Sequence, residues 1–182
     1  CRPRRAKEST RKTCSWIQME SSPFREYDRR FVQNGLAGPN EALMARAEPD
    51  VRWSREDATA EALAPLFHRL AVKALVHLYP AEPYRTIIEY LAAQTTLICP
   101  KDMETRLFLH DLPVVARLEA ELLEKPLSRR KAVLIPGSGI VAVSQKGLKE
   151  AFVTISSVCF ACFIKFFGDM RNAGKSGAIT GE

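Results

Sequence analysis

The chain has 182 residues and a mass of 20.4 kDa, enough for one domain with a substantial core and too little for two full catalytic domains. Hydrophobic residues make up 46% and charged residues 26%, which excludes wholesale disorder and collagen-like structure. The net charge of +6 is local: residues 1–12 hold six cations against Glu8 alone, and the rest of the chain carries 21 Lys and Arg against 20 Asp and Glu. A nearly neutral body predicts no nucleic-acid partner, and the basic leader reads as a solvated tail. No apolar run follows the leader, so it does not have the form of a secretory signal. The first residue is Cys1 rather than Met, which leads us to expect a fragment or an incompletely assembled reading frame.

Residues 1–50 are weakly patterned. Ser21-Ser22-Pro23, Gly38-Pro39 and Glu48-Pro49-Asp50 punctuate them, leaving room for short helical pieces such as Asn40 to Ala47. Clear periodicity begins at Ser54, which stands three residues before Asp57 in the spacing of a capping box. Leu63, Leu66, Phe67 and Leu70 then follow one helical face, with Pro65 forcing a kink or a restart. Val72 to Tyr79 alternates as a strand, with His77 and Tyr79 on the same side. Pro83 suits the first turn of a helix reaching about Ala93. Further along, Thr95 to Cys99 reads as a short strand, Asp102 as the cap of a helix ending near Leu109, and Leu112 to Val115 as another strand. A helix from Arg117 stops at Pro126 in this reading. Ala132 to Ile135 and Ile140 to Ser144 form a hairpin around Pro136-Gly137-Ser138-Gly139. A long helix runs from about Leu148 to Phe167, and the Gly- and Ser-containing tail is loose. Three parts are expected: a basic, weakly structured segment 1–53, a folded domain 54–168 and a tail 169–182. This order predicts an α/β protein with a single sheet flanked by helices.

The five cysteines are few and odd in number, and without a secretory signal they predict reduced thiols and a cytoplasmic protein. Cys159 and Cys162 form a C-x-x-C, but it lies in an apolar run and has no second pair to complete a zinc site. Packing within a buried helix is the expected role. The same run, Ala151 to Phe167, is diluted by Ser156, Ser157 and Lys165, so a core helix is expected rather than a transmembrane segment.

Several pieces in order resemble the class II aldolase/adducin family over about residues 55–168. Ala74-Leu75-Val76-His77-Leu78-Tyr79-Pro80 is similar to that family's strand ending in His-x-His. Asp111-Leu112-Pro113-Val114 resembles its strand with a small apolar residue and proline. Residues 132–143 resemble the strand pair around a Gly-His-Gly turn, and Gly147-Leu148-Lys149-Glu150-Ala151-Phe152 the start of the helix that follows. The resemblance implies a single-domain α/β/α sandwich, homo-oligomeric assembly, a small-molecule substrate and a divalent metal (Fe, Zn or Mn) held by three histidines. Only His77 stands at one of those three positions. Tyr79 replaces the second histidine and Ser138, between Gly137 and Gly139, the third. The family's Asn-containing turn and its phosphate loop are not visible in residues 1–55.

A metal acting as Lewis acid needs several fixed ligands and an open position, and neither a neutral Tyr nor a Ser hydroxyl replaces imidazole well. His68 and His110 could in principle complete a site, and His77, His110 and Asp111 match a two-histidine, one-carboxylate set in residue types. In that reading His77 is the metal ligand and Tyr79 a catalytic proton donor. The function expected is then a metal-dependent small-molecule enzyme, either a C–C bond lyase or an iron-dependent oxygenase acting on a carbonyl or aromatic keto-acid substrate. The alternative is a non-catalytic, adducin-like scaffold that has lost its metal ligands. Ser128-Arg129-Arg130-Lys131 is a short basic cluster before a strand, read as a solvated loop or as a contact for an anion.

Overall fold

The structure, a computed structural model, describes residues 23–176. The basic leader of residues 1–12 and the last residues of the tail, 177–182, lie outside the described residues. The elements run in the order α1 (Pro23–Gln33), β1 (Leu43–Ala47), β2 (Val51–Trp53), α2 (Ala58–Leu63), α3 (Pro65–Leu70), β3 (Ala74–Leu78) and α4 (Tyr84–Ala92). There follow β4 (Leu97–Ile98), α5 (Met103–Leu109), β5 (Leu112–Pro113), α6 (Ala120–Leu127), β6 (Ala132–Ile135), β7 (Gly139–Ser144) and α7 (Leu148–Ser176).

Five strands form one sheet in the order β2-β1-β3-β7-β6, every neighbouring pair antiparallel. Alternation along the strands supplies apolar side chains to both faces. Ala74, Val76 and Leu78 of β3 join Leu134, Ile140 and Ala142 in a core covered by α1, α4, α5 and α7. Leu75 joins Val133, Ile135, Val141 and Val143 in a second core covered by α2, α3 and α6. The sheet is therefore the middle layer of an α/β/α sandwich, with an apolar core on each side. The β4–β5 pair is a separate short ladder, tied to the main sheet by the parallel bridge Val114–Leu134.

Local chemistry accounts for most boundaries. Asp57 caps α2, its carboxylate accepting from the Ala60 N–H at 2.9 Å, and Asp102 caps α5 through the Thr105 N–H at 2.8 Å. Pro65 restarts the chain as α3 rather than bending one helix. Several expectations fail. The segment Asn40 to Ala47 is not helical, since Leu43–Ala47 is β1 and pairs with β3 in the interior of the sheet. Pro23–Gln33 is an amphipathic helix whose Phe31 is fully buried. The helix read from Arg117 starts only at Ala120 and does not stop at Pro126, which sits inside its last turn, where a missing N–H costs one hydrogen bond at most.

α7 continues to Ser176, past the expected end at Phe167. Its stretch Leu148–Asn172 is long and apolar enough to cross a membrane by length and composition. Here Ala151, Ile155, Val158, Cys159 and Cys162 form one fully buried stripe against the sheet. Burial also raises the thiol pKa of Cys159 and Cys162 far above the ordinary value, so the C-x-x-C packs as a pair of small, un-ionised apolar groups.

Candidate functional site

The end of β3 is shaped by the β6–β7 turn. Gly137 and Gly139 have φ of 71° and 91°, a region that side chains with a Cβ disfavour. At Gly139 sterics add a second reason: a Cβ there would lie 2.7 Å from the Tyr79 Cα and closer still to the Leu78 carbonyl oxygen. The turn therefore lies directly against the last residues of β3. From the other side of the turn, the Gly137 N–H donates to Glu89 of α4 at 2.8 Å.

That closure brings Ser138 to His77. The register pairs His77 with Leu43 on one neighbour and Val141 on the other, and the imidazole Nε2 lies 2.7 Å from the Ser138 carbonyl oxygen. A carbonyl only accepts, so Nε2 carries the proton and donates it, and Nδ1 holds the free lone pair. Burial pulls the His77 pKa below its ordinary 6.5, against the opposing pull of the Ser138 bond; Arg55 lowers it slightly and Asp57 raises it slightly. His77 is thus neutral at pH 7. Asp57, which acts on His77 through space, is itself held by Arg55 Nε at 2.7 Å, and this contact keeps its carboxyl below the usual range.

Tyr79 follows the end of β3 and takes different partners. Its ring lies under the Arg85 guanidinium, 4.5 Å from the ring centroid, and Arg85 Nε donates to the Pro80 carbonyl at 2.9 Å. His77 is engaged by the turn and Tyr79 by α4.

His110 and Asp111 are elsewhere. They follow α5 and precede β5, and both carboxylate oxygens of Asp111 accept from Arg130, at 2.5 and 2.7 Å. The guanidinium holds the Asp111 carboxyl below the usual carboxylate range. Arg130 precedes β6, whereas the turn over His77 follows it. The four residues of β6, about 13 Å of strand, thus separate the two ends. The set His77, His110 and Asp111 does not form a site. Among the described residues no group of three or more His, Cys, Asp and Glu could hold a metal ion. The groups acting on His77 are the Ser138 backbone carbonyl and, through space, the arginine-paired carboxylate of Asp57, and this set does not fit the metal that the resemblance implies.

No family model matches the chain, and no curated protein does. Solved structures do. The L-fuculose-1-phosphate aldolase of Thermus thermophilus superposes with a TM-score of 0.67 at 19% identity, over 81% of this chain and 94% of that one. YgbL of Escherichia coli, a putative aldolase/epimerase/decarboxylase, gives 0.66 at 17% identity, over 86% and 91%. A sugar-phosphate aldolase of Thermotoga maritima gives 0.54 at 12%, over 82% and 94%. The chain has the class II aldolase/adducin fold.

At these identities the likeness is one of fold. On this class II aldolase scaffold the structure joins His77 to the Gly137-Ser138-Gly139 turn and keeps His110 and Asp111 apart from both. Arg55, Asp57, Arg85 and Glu89 also belong to the neighbourhood of the turn and of β3's end, and sequence reasoning missed them as site residues. Asp57 carried a signal only as the downstream partner of a capping box read from Ser54, whereas in the structure Asp57 is itself the cap; Glu89 carried none beyond its place on a helix.

Proposed function

We propose that this chain is a non-catalytic member of the class II aldolase fold, a scaffold or binding module of the adducin kind rather than a metal-dependent lyase. The observation that carries the reading is the Nε2–H bond from His77 to the Ser138 carbonyl. At the place where the resemblance implies imidazoles converging on a metal, one imidazole instead directs its proton at the backbone of the turn. Homo-oligomeric assembly belongs to this reading; the exposed rings of Tyr90, Phe160 and Phe167 and the exposed Met170 support it, and light scattering of the purified chain checks it. The apolar stripe of α7, packed on the core, supports a core helix rather than a membrane span.

A second reading has its own support. Neutral His77 keeps the Nδ1 lone pair, and Asp57 lies close enough to influence it. With donors from a second copy of the chain, this pair would begin a metal site for lyase or iron-dependent oxygenase chemistry on a carbonyl or aromatic keto-acid substrate, with Tyr79 as proton donor.

One experiment separates the two. The protein and its His77→Ala variant are purified anaerobically, offered Fe(II), Mn(II) and Zn(II) in turn, and assayed for bound metal. We expect no stoichiometric metal in either. Near-stoichiometric metal that disappears in the variant would overturn the scaffold reading and establish the second.

A further inference from the structure

The end of the sheet away from His77 is open. Where β7 ends and β6 begins, a cavity of about 620 Å³ lies among the C-terminal ends of α3, α5 and α6 and the start of α7. Its volume is in the range of small-molecule sites. Leu70, Val72, Phe108, Leu127 and Val143 give it an apolar floor.

Its charged lining is the Glu150 carboxylate and five cations, and the cations divide into two classes. Arg69, Arg130 and Lys131 are already engaged: with Glu121 and Glu124, with Asp111, and with Glu150 at 3.3 Å together with the Phe108 ring. These pairs tie α3 to α6, and the α6–β6 connection both to the α5–β5 connection and to α7, so they build the walls. Arg129 and Lys146 line the same cavity, and neither side chain has an ion-pair or hydrogen-bond partner among the described residues. Lys146 is near enough to Glu150 to help lower that carboxyl's pKa. Arg129, without a partner, and Lys146, balanced only in part by Glu150, stand over an apolar floor and favour a ligand with one anionic end and one apolar end. The helix C-termini that face the cavity do not oppose this strongly. The chain folds back on them, with Ser128, Arg129 and Arg130 N–H groups donating to Glu124 and Pro126 carbonyls and His110 N–H to that of Arg106.

We propose that this cavity binds a small organic anion, a phosphate or carboxylate on an aromatic or aliphatic body, with the charged group between Arg129 and Lys146 and the body against Phe108 and Val143. The site is independent of His77 and of any metal.

Calorimetric titration with phenyl phosphate, phenylacetate and inorganic phosphate tests it. Phenyl phosphate or phenylacetate should bind at least about tenfold more tightly than inorganic phosphate, because only they cover the apolar floor. Arg129→Ala and Lys146→Ala should each weaken that binding about tenfold without lowering Tm, since both side chains are exposed and unpaired. His77→Ala should leave it unchanged, so the outcome is read separately from the metal experiment. The two organic probes distinguish a phosphate from a carboxylate head group. Binding of neither organic probe, binding indifferent to both cation substitutions, or inorganic phosphate bound as tightly as the organic anions would overturn the proposal.

Discussion

The two ends of the five-stranded sheet treat polar side chains in opposite ways. At the His77 end, the β6–β7 turn folds onto β3 so closely that position 139 has no room for a Cβ, and the imidazole commits its Nε2–H to the backbone above it. At the other end, a cavity lies among the helix and strand ends, and Arg129 and Lys146 line it. Strand ends place functional groups well, but whether a ligand can use them depends on whether the adjoining turn closes or opens. In this chain the end that the family resemblance marks is the closed one.

The sharpest way to break this contrast is to loosen the closed end. Gly139→Ala should destabilise the fold by about 3 kcal/mol or more, because strain at φ of 91° adds to a backbone collision. Gly137→Ala, at φ of 71° with open space around the added methyl, should cost only about 1 kcal/mol. Urea unfolding of the two variants measures both, and equal losses would mean that the turn does not lie tight against β3.

The next effect concerns the open end. Asp111→Ala removes a two-pronged, partly buried partner of Arg130 and should cost about 1 to 2 kcal/mol at neutral pH. The Asp111 pKa is depressed in the fold by Arg130, so its contribution is complete above the ordinary 3.8 and fades as pH falls through the lowered value. Asp111→Asn should flatten that part of the acid limb of stability, measured by urea unfolding across pH.

His77 gives a smaller effect in a different window. Burial lowers its pKa from 6.5, so the neutral ring's contribution is full above that value and lost as pH falls through the lowered folded-state pKa. Nitrogen NMR of the ring should show the Nε2–H tautomer and a midpoint below 6.5, and His77→Ala should cost about 1 kcal/mol for the lost hydrogen bond. A midpoint above 6.5, or the Nδ1–H tautomer, would break the reading of a ring committed to the turn. Smallest of all, Arg85→Ala should cost about 0.5 to 1 kcal/mol by removing the guanidinium from the Tyr79 ring, while Tyr79→Phe should be near neutral because the stacking face is kept.

What could be read from the residues alone follows a physical line. Local signals were legible: the Asp102 cap, the restart at Pro65, the alternation of β3 and the Pro136–Gly139 turn each act within a few residues. β1 was not. Leu43-Met44-Ala45-Arg46-Ala47 is built of helix formers, and it is a strand because pairing with β3 on one side and β2 on the other outweighs that preference. At the site, His77 and Ser138 are 61 residues apart and meet only through the β3–β7 register. The family resemblance could point to both, whereas spacing could not. His110 and Asp111 had suitable chemistry for a metal, but their availability turned on Arg130, 19 residues onward, which was visible only as part of a basic cluster.

The tight turn also settles a question that hydrophobicity leaves open. Every residue of β6 and β7 is buried, with apolar neighbours on both faces, so sliding β7 by one residue would exchange the two cores' side chains while leaving nearly all of them in an oily environment. Pattern alone does not penalise such a slip. What does is geometric: only glycine fits against Leu78 and Tyr79, and only one alignment presents a Gly137 N–H to Glu89. The hairpin thus acts as an index mark for the whole sandwich. Deleting one residue between Pro136 and Gly139 should scramble which layer each strand residue serves.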